Sequence, residues 1–131
     1  MPTVEIDRGR RFEIRAWSDD GENVPLLDFL DKLKAAGNSD YFRLLGLISR
    51  TANEGVSGNK QHVRSLGDDI FEFKAKENAS RILFFYDKGR LIICSHGFSG
   101  KKGSEKKYIG RQKKKAIEIR TAYFDEIGRS K

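Results

Sequence analysis

The fold is decided by residues 80–108, SRILFFYDKGRLIICSHGFSGKKGSEKKY. Two apolar runs, residues 82–86 and 91–94, are joined by the turn Asp87-Lys88-Gly89, which predicts a β-hairpin. Both faces of each run are apolar, so the two strands are expected to be central and covered on both sides. The polar residues therefore lie at the ends of a buried hairpin, on a rigid support.

Two amphipathic helices are predicted before this hairpin. Asn23 is suited to cap the first, which has Pro25 near its first position and runs through Lys34 to a stop at Gly37. The second is capped within residues 38–40 and ends near Gly55. Their apolar stripes indicate that both helices cover a sheet. The stripes consist of Leu26, Leu30 and Leu33 in the first helix and of Phe42, Leu45, Ile48 and Ala52 in the second.

The remaining segments predict an α+β fold. Residues 11–17 alternate as a half-buried strand, and residues 62–66 and 70–76 are strand candidates that extend the hairpin into an antiparallel meander. Apolar residues at helical spacing then predict a C-terminal helix. The expected architecture is one domain over residues 1–131, with two N-terminal helices packed on an antiparallel β-sheet, a C-terminal helix, and residues 1–10 loosely ordered.

Composition limits the environment of the chain. It has 131 residues and no apolar run near the ~20 residues of a membrane span, and its charged start is not expected to be a signal peptide. Its single cysteine, Cys94, excludes an internal disulfide and fits the reducing cytoplasm. We therefore expect a cytoplasmic protein without a membrane partner, in which Cys94 is a packed thiol.

Positive charge is confined to one end of the chain. Residues 1–95 contain 15 basic and 15 acidic side chains, whereas residues 96–131 contain 11 and 4, which accounts for the formal net charge of +7. Such a field favours a polyanionic partner, most simply nucleic acid. A solvated helix face with a basic tail is the alternative explanation.

The sequence contains no motif for a metal or a cofactor. His62 and His96 are its only histidines, and it lacks CxxC, HExxH and the phosphate-binding GxxxxGK[ST] pattern. What remains is a group of arginine, lysine, tyrosine and histidine side chains near strand ends.

This group suits metal-independent cleavage of RNA. The ribose 2′-OH must attack the adjacent phosphate, the phosphorane must be stabilised, and the 5′-oxygen must be protonated. Arg81 and loop lysines would hold the phosphate. Protons would move through His96 or through a lysine crowded by like charges. Each residue also has a structural interpretation: Arg81 as an ion pair, His96 as a hydrogen-bonded strand end, and the lysines as solvated charge.

The same stretch resembles the RelE/HigB toxins, most closely their phage-derived HigB-like branch. The resemblance rests on Ser80-Arg81-Ile82-Leu83-Phe84, on residues 92–98 (IICSHGF), and on the lysine pair Lys101-Lys102. It covers roughly residues 70–124. The chain departs from the branch pattern because two residues, Ser99 and Gly100, separate Phe98 from the lysines, where one is usual.

The resemblance implies a ribosome-dependent mRNA endonuclease, neutralised by a cognate helix-turn-helix antitoxin. By matching positions, Arg81 would contact the scissile phosphate, Lys101 and Lys102 match the basic residues that follow in the family, and Tyr108 lies in the neighbourhood of a tyrosine seen in some members. Together with His96, proposed above for proton transfer, these residues form the predicted catalytic set. The predicted nucleic-acid-binding residues are Lys74, Lys76, Lys106, Lys107, Arg111, Lys113 and Lys114.

Two other functions remain open. A ParE-like protein would inhibit DNA gyrase without nuclease chemistry, and a catalytically silent basic domain would only bind RNA or DNA. Fold alone does not decide among the three. Substituting Arg81 distinguishes catalysis from inhibition through another surface.

Overall fold

A computed structural model describes residues 2–19, 21–75, 80–99 and 105–128. Within these ranges the chain forms six strands and three helices in an α+β arrangement. In chain order they are β1 (Thr3–Arg8), β2 (Glu13–Trp17), α1 (Pro25–Ala35), α2 (Asp40–Glu54), β3 (Val63–Gly67), β4 (Ile70–Ala75), β5 (Ser80–Asp87), β6 (Leu91–Phe98) and α3 (Glu105–Glu126).

The six strands form one mixed sheet in the order β1-β2-β6-β5-β4-β3. The predicted hairpin, β5–β6, lies at its centre, and the meander from β3 to β6 is antiparallel. The prediction of an antiparallel sheet was wrong at one pair, because β2 lies parallel to β6. Helices α1 and α2 carry the chain from β2 across one face, so the meander starts at the far edge and returns beside β2. Side-chain alternation does not encode strand direction.

Residues 1–10, predicted to be loosely ordered, contain the edge strand β1. It pairs antiparallel with β2, with Val4 opposite Ala16 and Arg8 opposite Glu13. Val4 and Ile6 pack against the core, while Glu5 is exposed. Two strands, β1 and β2, therefore precede the two helices. The prediction that the helices form the N-terminal part of the chain was wrong in this respect.

The helices cover both faces of the sheet. Leu26, Leu30 and Leu33 of α1 are buried as predicted. Gly55, whose φ of 97° suits glycine, caps the C-terminal end of α2. Phe42, predicted in the α2 stripe, is instead 72% exposed. On the opposite face, α3 buries Ala116, Ile119, Tyr123 and Phe124 against the sheet. None of the helices in the described ranges is long and apolar enough to cross a membrane.

Strand β4 contains one residue, Glu72, whose exposure to solvent differs from the prediction. Alternation along residues 70–76 predicts that Phe71, Phe73 and Ala75 face inward and that Glu72 faces outward, toward solvent. Glu72 is instead fully buried, because it points to the face of the sheet that α3 covers. A carboxylate in this position needs cationic partners, and these partners define the candidate site.

Candidate functional site

Three charged side chains cross the α3-facing side of strands β3, β4 and β5. Glu72 lies opposite Arg64 in the sheet register, and its Oε2 accepts a hydrogen bond from Arg64 Nε at 2.9 Å. Its Oε1 lies 3.4 Å from Nη1 of Arg81. Arg81 is 2% exposed and Glu72 is fully buried, whereas 43% of the Arg64 side chain is exposed. The carboxylate thus balances one buried guanidinium and one that reaches solvent.

His96 lies on the neighbouring strand, β6, beside an irregularity in the register between β5 and β6. Its Nε2 lies 2.9 Å from Gln112 Oε1 on α3, which makes Nε2–H the donor. Its Nδ1 lies 3.0 Å from the Ser95 hydroxyl. Burial lowers the pKa of His96 to about 4, the nearby charge of Lys115 adds to this effect, and the Gln112 hydrogen bond opposes it. His96 is therefore a neutral imidazole at physiological pH.

An aromatic chain connects His96 to the first turns of α3. The ring of Phe98 lies 5.9 Å from that of His96 and 5.5 Å from that of Tyr108, which it meets edge-on. The Arg111 guanidinium lies 5.9 Å from the centroid of the Tyr108 ring. Arg81 pairs with Phe98 across the ladder, so the cation and the aromatic chain share one end of the β5–β6 hairpin.

Residues 28–122 match the family described as Phage derived protein Gp49-like (DUF891). The chain belongs to this family. The Gp49-like family is known as a family of toxin–antitoxin toxins within the RelE/HigB-like superfamily, and an antitoxin partner is implied by that membership. The resemblance to RelE/HigB toxins is confirmed at the level of the superfamily, while the HigB-like branch stays a prediction. A search of curated proteins found no match.

The Gp49-like fold brings three of the predicted catalytic residues to one face. Arg81, His96 and Tyr108 lie at the same end of the sheet, and Lys74 pairs with Arg81 across the β4–β5 ladder. Lys101 and Lys102, predicted to be catalytic, and Lys76, predicted to bind nucleic acid, lie outside the described residues. The roles of all these residues stay predictions.

The basic residues predicted to bind nucleic acid on α3 differ in their environments. Lys106, Lys107, Arg111 and Lys114 are exposed. Lys113 instead forms an ion pair with Asp68 Oδ2 at 2.7 Å in the turn before β4. That contact lowers the pKa of the Asp68 carboxyl, chiefly through the hydrogen bond that it accepts from Lys113. Lys113 thus links α3 to the β3–β4 turn.

Sequence reasoning missed Glu72 and Gln112. Gln112 lies four residues after Tyr108 and four before Ala116, so helical spacing places it on the face of α3 that meets the sheet. Glu72 could have been found from the neighbouring strand, because a β5 that is apolar on both faces implies a covered β4 beside it. Among the described residues, no group of three or more His, Cys, Asp or Glu side chains is arranged to hold a metal ion.

Proposed function

We propose that this Gp49-like protein is the toxin of a toxin–antitoxin pair and cleaves mRNA on the ribosome by metal-independent attack of the ribose 2′-OH. The observation that carries the proposal is the convergence of Arg81, His96 and Tyr108 at one end of the central hairpin. Its proposed partners are a cognate helix-turn-helix antitoxin, the ribosome and mRNA, and its proposed location is the cytoplasm.

In this proposal Arg81 stabilises the charge of the phosphorane, and Glu72 orients its guanidinium. Because Arg81 is 2% exposed, contact with a phosphate is proposed to require a local movement that uncovers its guanidinium. Binding to the ribosome is proposed to supply the free energy for this movement, which would make cleavage dependent on the ribosome.

His96 is proposed to act as a neutral group. With a pKa of about 4, only about one imidazole in a thousand is protonated at pH 7, so His96 is a poor proton donor. The same pKa makes the neutral imidazole a weak base, so its proposed role is to position the substrate through a hydrogen bond. Removal of the 2′-OH proton is then left to a lysine crowded by like charges. Protonation of the 5′-oxygen is then left to Tyr108 or to a lysine, among which Lys101 and Lys102 are the predicted candidates.

A protein without nuclease activity is the second candidate. The burial of Arg81 and its contact with buried Glu72 favour it, because a guanidinium held in this way also serves a purely structural role. A ParE-like gyrase inhibitor and a silent nucleic-acid-binding domain both belong to this class.

Cell-free translation with mapping of mRNA 5′ ends tests the proposal. The wild-type protein should produce cuts only where ribosomes are present. Arg81→Lys, which keeps the charge but removes the bidentate fork, should reduce cleavage by about 10²-fold or more. Arg50→Ala, which removes an exposed arginine from α2, is the control and should cleave normally.

Folding must be separated from catalysis, because Arg81→Ala leaves Glu72 buried beside one remaining arginine. The double variant Glu72→Gln with Arg81→Ala removes the buried carboxylate together with its buried partner, and it leaves only the partly exposed Arg64. A folded double variant that cuts mRNA as well as the wild type would refute the role of Arg81. Intact mRNA with normal protein synthesis in the presence of the wild type would refute nuclease activity, and DNA supercoiling by gyrase would be measured next.

A further inference from the structure

Basic side chains also gather at the end of the sheet opposite the candidate site. Residues 1–95 carry no net charge, yet Arg10 and Arg11 in the β1–β2 turn lie beside Arg90 in the β5–β6 turn. The three arginines line one hollow of about 480 Å³ together with Asn53 and Glu54. We refer to Arg10, Arg11 and Arg90 as the turn patch.

The parallel pairing of β2 with β6 creates this patch. Glu13 lies opposite Leu91, so the residues that precede the two strands are neighbours. Arg90 Nη1 donates to the Arg10 carbonyl at 2.9 Å, and the Arg90 carbonyl accepts from the Glu13 amide at 2.8 Å. Nothing in the sequence alone indicated that these turns meet.

The β1–β2 turn is fixed on the end of α2. The backbone amides of Arg11 and Phe12 both donate to the Ala52 carbonyl, at 2.8 and 3.0 Å. Gly9 lies so close that a Cβ atom there would be 2.5 Å from the Ala52 backbone. The backbone that carries Arg10 and Arg11 is therefore fixed before any ligand arrives, which lowers the entropic cost of binding.

No carboxylate within the described ranges forms an ion pair with the guanidinium groups of the patch. Among the described residues, none of the three arginines forms an ion pair, and all three are exposed. Of the residues that the structure describes, Glu54 is the one acidic side chain that lines this hollow. Arg11 lies near the carbonyl end of α2 and Arg90 donates to the Arg10 carbonyl, so contacts with carbonyl groups account for these two cations but not for Arg10. Three arginines facing one carboxylate favour an anion with repeated charges.

We infer that the turn patch is a second, non-catalytic surface that binds the phosphate backbone of folded RNA. Strand β5 separates it from Arg81 by roughly 20 Å at about 3.3 Å per residue, so a phosphate bound here is remote from the candidate site. Arginine forks match phosphate geometry, and backbone contacts position a protein without selecting sequence. The inference rests on the proposed function only for the choice of ribosomal RNA as the polyanion.

Binding of the full-length protein to purified ribosomal RNA, measured over a range of salt concentrations, tests this inference. The variant Arg10→Gln with Arg11→Gln leaves the Arg90 hydrogen bond intact, because that bond uses a backbone carbonyl. It should weaken binding by about tenfold at 0.1 M salt. The slope of the logarithm of the binding constant against the logarithm of the salt concentration should fall in magnitude by about one for each phosphate that the variant no longer binds. The charge-matched control is Arg50→Gln with Lys60→Gln, two exposed residues outside the patch.

The outcomes separate the alternatives. Equal weakening by the variant and its control would show a net-charge effect and overturn the inference, as would unchanged binding. A variant that fails to bind poly-L-glutamate but still binds RNA would assign the patch to an acidic protein and also overturn it. A wild type that binds through the patch but cuts no mRNA would support this inference while refuting the nuclease proposal.

Discussion

At the scale of single residues, Glu72 is the carboxylate that pairs with both arginines of the site. One carboxylate, fully buried, contacts Arg81 on one side and Arg64 on the other. Removing Glu72 takes away the carboxylate that contacts buried Arg81, and breaking a buried ion pair by the loss of one partner is strongly destabilising. Glu72 therefore couples the position of Arg81 to the stability of the sheet, and for this reason the test of Arg81 includes a variant of Glu72.

His96 predicts how stability depends on pH. Its pKa is about 4 in the folded protein and near 6.5 when unfolded. Below pH 6.5 the unfolded chain therefore binds a proton that the folded protein does not. Stability is unaffected by His96 above pH 6.5 and falls by about 3 kcal/mol as the pH drops from 6.5 to 4.

Urea unfolding of the wild type and of His96→Gln at several pH values between 4 and 7.5 measures this contribution. Carboxylates add a pH dependence that both proteins share, so the difference between them isolates the histidine. The variant should lose stability less steeply on acidification. Parallel curves for the two proteins would show that the imidazole is already accessible to protons in the folded state.

At the scale of elements, α3 is held by the turn between β3 and β4. Lys113 pairs with Asp68, and Arg120 Nη1 donates to the Asp68 carbonyl at 2.6 Å. Towards its C-terminal end, the Tyr123 hydroxyl donates to Asp87 Oδ2 at 2.5 Å. These contacts fix the helix along the face that it covers, and hence the position of Gln112 relative to His96.

The same turn predicts a stabilising substitution. Asp68 and Asp69 have φ values of 56° and 60°, the left-handed region that a two-residue hairpin turn requires and that glycine adopts without strain. Asp69→Gly should raise the free energy of unfolding by about 0.5–1 kcal/mol, as measured in urea. Asp68→Gly is the matched control, because it relieves the same conformation but removes the Lys113 ion pair. A larger increase in the free energy of unfolding for Asp68→Gly than for Asp69→Gly would show that the ion pair contributes little.

At the scale of the whole molecule, one sheet separates two apolar layers. Ile48 of α2 belongs to one layer and Ile119 of α3 to the other, and both are buried. Because the central strands contribute to both layers, neither layer is complete without the sheet. The chain is therefore expected to unfold as one cooperative unit.

Conservative truncations on the two faces test this expectation. Ile48→Val and Ile119→Val should each cost about 0.5–1.5 kcal/mol, and their effects should add in the double variant to within about 0.5 kcal/mol. Unfolding followed by Trp17 fluorescence and by far-UV circular dichroism should give one coincident transition for every variant. Two separated transitions would instead indicate that α3 and its face unfold independently.

Much of the fold followed from local patterns in the sequence. Apolar runs on both faces predicted central strands β5 and β6, and leucines at helical spacing predicted the buried side of α1. Arg81 and His96 could be selected because polar residues at the ends of apolar strands stand out. The β1 strand was missed although Val4 and Ile6 alternate with acidic residues, because a short edge strand is stabilised by its pairing with β2 more than by its own sequence.

The sequence by itself determined the class of fold, the central hairpin and the residue types at its ends, since all three depend on side-chain periodicity and turn chemistry. Only the tertiary structure decided strand direction, the burial of Glu72, the neutral state of His96 and the meeting of the arginine-bearing turns. Each of these depends on which distant segment covers or adjoins a residue. A periodic pattern identifies an apolar face, but the environment of a polar side chain is fixed only when the segments pack together.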